Sequence, residues 1–110
     1  MKRAYEMMVI IDGDVDDPKA QSWMKTITEE IAKVGGELHD KIDWWGKRQF
    51  AYPIHKKPSG YYLVAQIVAA PGALDDLERQ LRLADDIVRH KLIRLPEDEA
   101  ARRGIAVEAA

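Results

Sequence analysis

Apolar residues fall into short alternating runs separated by helical ones. Tyr5, Met7, Val9 and Ile11 alternate with Ala4, Glu6, Met8 and Ile10, which predicts a largely buried strand over residues 4–11. Asp17-Pro18 then opens a helix, with Asp at the N-cap and Pro at the first helical position. Trp23, Met24, Ile27, Ile31 and Val34 recur at helical spacing, and Gly35-Gly36 ends the run. Leu38, Ile42 and Trp44 fall on one face of a second strand, with Lys41, Asp43 and Trp45 on the other.

Gly46 interrupts this strand, and a bulge there resets which side chains face inward. The strand resumes through Arg48, Phe50 and Tyr52 to Pro53, and His55 to Gly60 reads as a hairpin loop carrying Lys56 and Lys57 at its tip. Tyr61–Ala69 is a third strand. Pro71-Gly72 opens a second helix with Leu74, Leu77 and Leu81 on one face, and a fourth strand runs from Ile87 to Leu95. The order β-α-β-β-α-β predicts an α+β, ferredoxin-like split β-α-β fold, a four-stranded antiparallel sheet with two helices on one face. The other face is left to water or a partner. Trp23, Ile27, Ile31, Leu74, Leu77 and Leu81 are the expected core under the helices. Residues 97–110, charged and Ala-rich, are expected to form a flexible C-terminal tail.

Composition narrows the function. A chain of 110 residues with 46% hydrophobic content builds one core rather than two. The absence of cysteine excludes disulfides, thiolate metal sites and cysteine nucleophiles. Met7–Ile11 is too short for a secretory core or membrane span, so a soluble, cytoplasmic protein is expected. The net charge is −2, yet no Asp or Glu lies between Trp44 and Leu74, where Lys47, Arg48, Lys56 and Lys57 stand among aromatics. A basic, aromatic hairpin on an otherwise acidic chain is the pattern of an RNA- or partner-binding edge.

Other chemistry fails on spacing. Asp12, Asp14 and Asp16 begin like a calcium loop, but Asp17 and Trp23 occupy the positions that need Gly and a bidentate Glu. His39, His55 and His90 are scattered, with no second ligand at metal spacing. Phosphate loops and a GxSxG elbow are absent. No enzymatic activity, cofactor or small-molecule substrate is expected. The competing class is a regulatory ferredoxin-like module forming edge-to-edge dimers around a ligand, which needs a glycine-bearing effector loop that the chain does not clearly have.

Tyr5-Glu6, Gly35-Gly36, the run WGKRQFAYPI at 45–54, Gly60-Tyr61-Tyr62, Leu81-Arg82-Leu83 with Asp85, and Arg89 together resemble the bacterial small-subunit ribosomal protein six family over residues 2–95. The resemblance implies a structural ribosomal protein that binds the central domain of 16S ribosomal RNA together with small-subunit protein eighteen. Residues 1–96 would then be the rRNA- and partner-binding domain. It places Trp45, Lys47, Arg48 and Tyr52 on the strand whose edge and adjoining surface meet partner and RNA. It also makes Lys2, Arg3, Arg82 and Arg89 candidate contacts, to which the basic hairpin adds Lys56. An acidic member fits this scheme, because a basic partner would supply the remaining cations and complementary charge would speed the pairing.

Overall fold

The computed structural model describes residues 2–54 and 56–105. Its elements are β1 (Arg3–Asp12), α1 (Asp17–Lys33), β2 (Glu37–Leu38), β3 (Asp43–Ile54), β4 (Lys57–Ala69), α2 (Asp75–Leu83), β5 (Ile87–Arg94) and α3 (Glu97–Arg102). β1 runs through the middle of the sheet. It pairs antiparallel with β4 from Arg3↔Ala69 to Asp12↔Gly60, and with β5 from Tyr5↔Arg94 to Ile11↔Ile87. β2 and β3 both pair with β4, one after the other along the same edge. The result is the ferredoxin-like order, with α1 and α2 on one face.

The predicted second strand is therefore split. Asp40 takes φ 65° between β2 and β3, a left-handed turn that no ladder accommodates. Leu38, Ile42 and Trp44 nevertheless all pack against the core, as their spacing required.

α1 starts one residue earlier than the Asp17-Pro18 reading. Asp16 is the N-cap, in extended backbone, and its Oδ1 accepts from the Lys19 N–H at 3.2 Å. Asp17 instead accepts from Gln21 Nε2 at 2.7 Å inside the first turn. At the other end Gly35 adopts φ +77°. The Gly36 N–H reaches Ile31 O and the Gly35 N–H reaches Ala32 O, the paired bonds of a Schellman stop.

Under the helices lie Met7, Val9, Ile11, Leu63, Ala65 and Ile67 from the sheet, with Ile27, Ile31, Leu74, Leu77 and Leu81 above them, all buried. Trp23, expected among them, is half-buried at the margin of this cluster.

Two expectations change at the hairpin and the C-terminus. Lys57 to Gly60 are strand, not loop: Ile54↔Lys57 closes the β3–β4 hairpin, and Ser59 and Gly60 are buried. His55 lies outside the described residues. The expected tail begins with a helix, α3, from which Ala100 and the following Ile105 pack on Ala4, Val68 and Leu95. Two apolar side chains in a charged segment find an apolar patch on the sheet, which composition alone did not reveal. Residues 106–110 lie outside the described residues.

Candidate RNA and partner interface

The face away from α1 and α2 carries the candidate site. Alternation places Glu6, Met8 and Ile10 of β1 there, with Tyr62, Val64, Gln66 and Val68 of β4. β5 adds Arg89, Lys91 and Ile93, opposite Ile10, Met8 and Glu6.

β3 reaches this face through a bulge. Trp44 pairs with Leu63 but Gly46 with Tyr62, so Trp45 and Gly46 together face one residue of β4. Gly46 has φ +82°, a conformation glycine adopts without the clash a Cβ would bring. One extra residue inverts the alternation beyond it. Trp44 stays on the helix side, stacked on Tyr61 with ring centroids 5.7 Å apart. Trp45 stacks on Tyr62 at 5.9 Å on the opposite face, and its Nε1 donates to Asp43 Oδ2 at 2.9 Å. Past the bulge Lys47 pairs with Tyr61, its Nζ 5.9 Å from the ring centroid, while Arg48 pairs with Gly60. Without the bulge, Lys47 and Arg48 would exchange faces.

Gly60 also makes room. A Cβ there would stand 2.7 Å from Ile10 Cγ2 and 2.8 Å from Phe50 Cζ, so the bare backbone is what lets Phe50 lie beside Ile10 and edge-on to Tyr62. The outcome is an aromatic trio, Trp45, Tyr62 and Phe50, with Trp45 45% exposed. Arg48 lies on one side of it and Arg89 with Lys91 on the other. Among the described residues none of these three cations pairs with a carboxylate, and all three are exposed.

The other predicted residues disperse. Lys47 is exposed but belongs to the helix side. Tyr52, 79% exposed, and Lys56, with φ 64°, sit on the overhanging hairpin arm. Lys2 and Arg3 lie at the opposite end of the sheet beside Arg94 and Glu97. Arg82 is exposed on α2, away from the open face. Thus Trp45, Arg48 and Arg89 share one face, with β4 and β1 between the two arginines, and the rest lie elsewhere. Lys91 joins them although it was not among the expected contacts; its period-two relation to Arg89 was the available signal.

Lys57 is not a free charge at the hairpin tip. Its Nζ is 2.9 Å from Asp12 Oδ2 and 3.6 Å from Asp14 Oδ2, which ties β4 to the loop after β1. Burial works against the ionised Asp12, but the Asp14 N–H and Lys57 outweigh it and hold its pKa below the ordinary value. The hydrogen bond to Asp12, and then its charge, raise the pKa of Lys57. This contact, with Asp16 as helix cap, accounts for the acidic run that began like a calcium loop. His90 meets Glu78 of α2 at 3.0 Å, and no cluster of metal-ligating side chains occurs among the described residues.

A groove on the open face runs past Glu6, His39, Lys41, Asp43 and Trp45 to Arg103. Arg103 closes it by donating from Nη1 to Glu6 Oε1 and from Nε to Glu99 Oε1, both at 2.8 Å. The Arg103 hydrogen bond, with the charge of Arg102 behind it, lowers the Glu99 pKa.

Comparison with known proteins agrees with this architecture. A family model described as Ribosomal protein S6 matches residues 4–94. The small ribosomal subunit protein bS6 of Paenarthrobacter aurescens is 43% identical over 97 residues, covering 88% of this chain and 94% of that one. That of Carboxydothermus hydrogenoformans is 44% identical over 94 residues, covering 86% and 97%. The crystal structure of 30S ribosomal protein S6 from Thermotoga maritima superposes with a TM-score of 0.84 at 30% identity, covering 94% of this chain and 97% of that one. These relatives are structural ribosomal proteins, not enzymes. The chain belongs to the ribosomal protein S6 family of the small ribosomal subunit.

Proposed function

We propose that the chain binds the central domain of 16S ribosomal RNA jointly with small-subunit protein eighteen, and that the open sheet face is where this happens. One observation carries the reading: an exposed Trp45 stacked on half-buried Tyr62 shares its sheet face with cations that have no carboxylate partner among the described residues, Arg48 on β3 and Arg89 with Lys91 on β5. An apolar centre with a charged rim is the anatomy of a protein interface whose energy is concentrated in a few aromatic and arginine anchors. The rim cations reach phosphate by charge alone, without reading bases. The chain carries net −2, so it repels RNA overall, and a basic partner makes the joint surface attractive.

Calorimetry and salt-titrated filter binding with purified protein eighteen and a central-domain RNA fragment test this. Weak RNA binding by the chain alone and a sharp gain with the partner are expected. Arg48→Ala should weaken the joint complex by more than about 1 kcal/mol, a hot-spot loss, with circular dichroism unchanged. Tight, specific RNA binding by the chain alone, or full assembly by Arg48→Ala, overturns the reading.

A further inference from the structure

We propose that the C-terminal segment from α3 to Ile105 is a built-in latch on the open face, which an incoming protein partner must displace. The proposal rests on the reading of that face as a partner interface.

The segment lies where a partner would. Ala100 and Ile105 cover Ala4, Val68 and Leu95, on the same face as Tyr62 and Trp45. Arg103 places its guanidinium on Glu6, the carboxylate β1 presents to this face, and closes one end of the groove that leads to Trp45. Arg103 thus already occupies the carboxylate that would attract a cation of a basic partner. The apolar patch is likewise filled by two small plugs rather than left wet.

The contact is built to give way. α3 has six residues, too few to hold a helix by itself, so its order depends on docking. Arg103 and Glu6 are 31% and 28% exposed, so the pair keeps contact with water and is screened by salt. Segments with few buried side chains open at far lower cost than the core around Leu63. A partner meeting a mostly closed latch binds with an affinity reduced by the open fraction. A latch closed nine times in ten costs about tenfold in Kd, which is about 1.4 kcal/mol.

Two full-length variants open the latch by different means. Arg103→Glu sets a carboxylate against Glu6 and Glu99, and Ile105→Ser removes the larger plug without changing charge. Each should bind protein eighteen about tenfold more tightly than the parent by calorimetry, with melting of the core retained. The agreement of the two matters, because Arg103→Glu alone would also attract a basic partner. In methyl NMR of the parent, contacts between Ile105 and Val68 should vanish when partner is added. Equal or weaker binding by Ile105→Ser, or Ile105–Val68 contacts that persist in the complex, overturns the latch and makes the segment part of the partner's seat. If protein eighteen binds neither parent nor variants, the partner reading of the face fails instead. The latch is then judged on the free proteins: Ile105–Val68 contacts kept in Arg103→Glu would overturn it.

Discussion

The two faces of the sheet are made from the same strands yet finished to different degrees. On the helix side Met7, Val9, Leu63, Ala65 and Ile67 are fully excluded from water beneath seventeen residues of α1 and nine of α2. On the opposite side Tyr62, Val64 and Gln66 are half-buried, Trp45 and Ile93 are exposed, and among the described residues the cover is the six-residue α3 with Ile105. Asp17, Asp75, Asp76 and Glu78 occupy the first turns of α1 and α2, where the macrodipole favours them, and Arg48, Arg89 and Lys91 stand with Glu6 on the open face. A face that holds the fold is completed by the chain itself. The open face keeps Trp45, Ile93, Arg48, Arg89 and Lys91 in water.

Substitutions can separate those roles. The largest effect is expected at the helix face. Leu77→Ala removes a side chain that is 3% exposed and should cost about 2–5 kcal/mol in urea melts, as a core deletion does; a variant as stable as the parent would take α2 out of the core. Next comes Gly46→Ala, which forces a Cβ into φ +82° with open space around it, so the penalty is backbone strain of about 1–2 kcal/mol. If the strand escapes that strain by losing the bulge, Lys47 and Arg48 exchange faces, and partner binding should fall by more than stability does. Trp45→Ala ranks below both in stability. It loses an exposed stack on Tyr62 worth about 0.5–1.5 kcal/mol, yet should harm assembly more than folding; the reverse ranking would make the trio a second core.

The smallest effect concerns pH. Asp12 has its pKa lowered in the folded chain, so its pairing stabilises the fold above the ordinary aspartate value and is lost as pH drops below about 4 and through the folded value. Lys57→Met should flatten the fall in stability between pH 5 and about 2 relative to the parent, since one source of the Asp12 shift is gone. Thermal melts across that range that remain parallel would show that the clasp adds nothing to acid sensitivity.

Much of this was legible from period alone. Strand and helix order, the Gly35-Gly36 stop, the Gly46 bulge and the burial of Ile27, Ile31 and Leu77 follow from spacing and glycine placement. What was hidden depends on distant partners. The Asp16 cap competes with Asp17 one residue on, and only the local backbone decides between them. Pro58-Ser59-Gly60 has turn composition, but the Asp12–Lys57 clasp and the Ile10–Phe50 slot over Gly60 hold it in a strand. α3 forms because Ala4, Val68 and Leu95, far apart in sequence, make one patch. Of the expected contacts, Arg48 and Arg89 could be brought together only once the register across β4 and β1 was known, because a bulge decides which of Lys47 and Arg48 shares Arg89's side.

The same bulge bears on how the unassembled chain survives. β3 is twelve residues long, pairs along one side with β4, and among the described residues has no strand on its other side. A flat strand of that length and aromatic content would be a template on which further copies could stack edge to edge. Gly46 kinks and twists it, Lys47 and Arg48 follow with two adjacent charges, and Pro53 removes a donor near the end. The residue that aims Arg48 thus also breaks the flat edge on which further copies would stack.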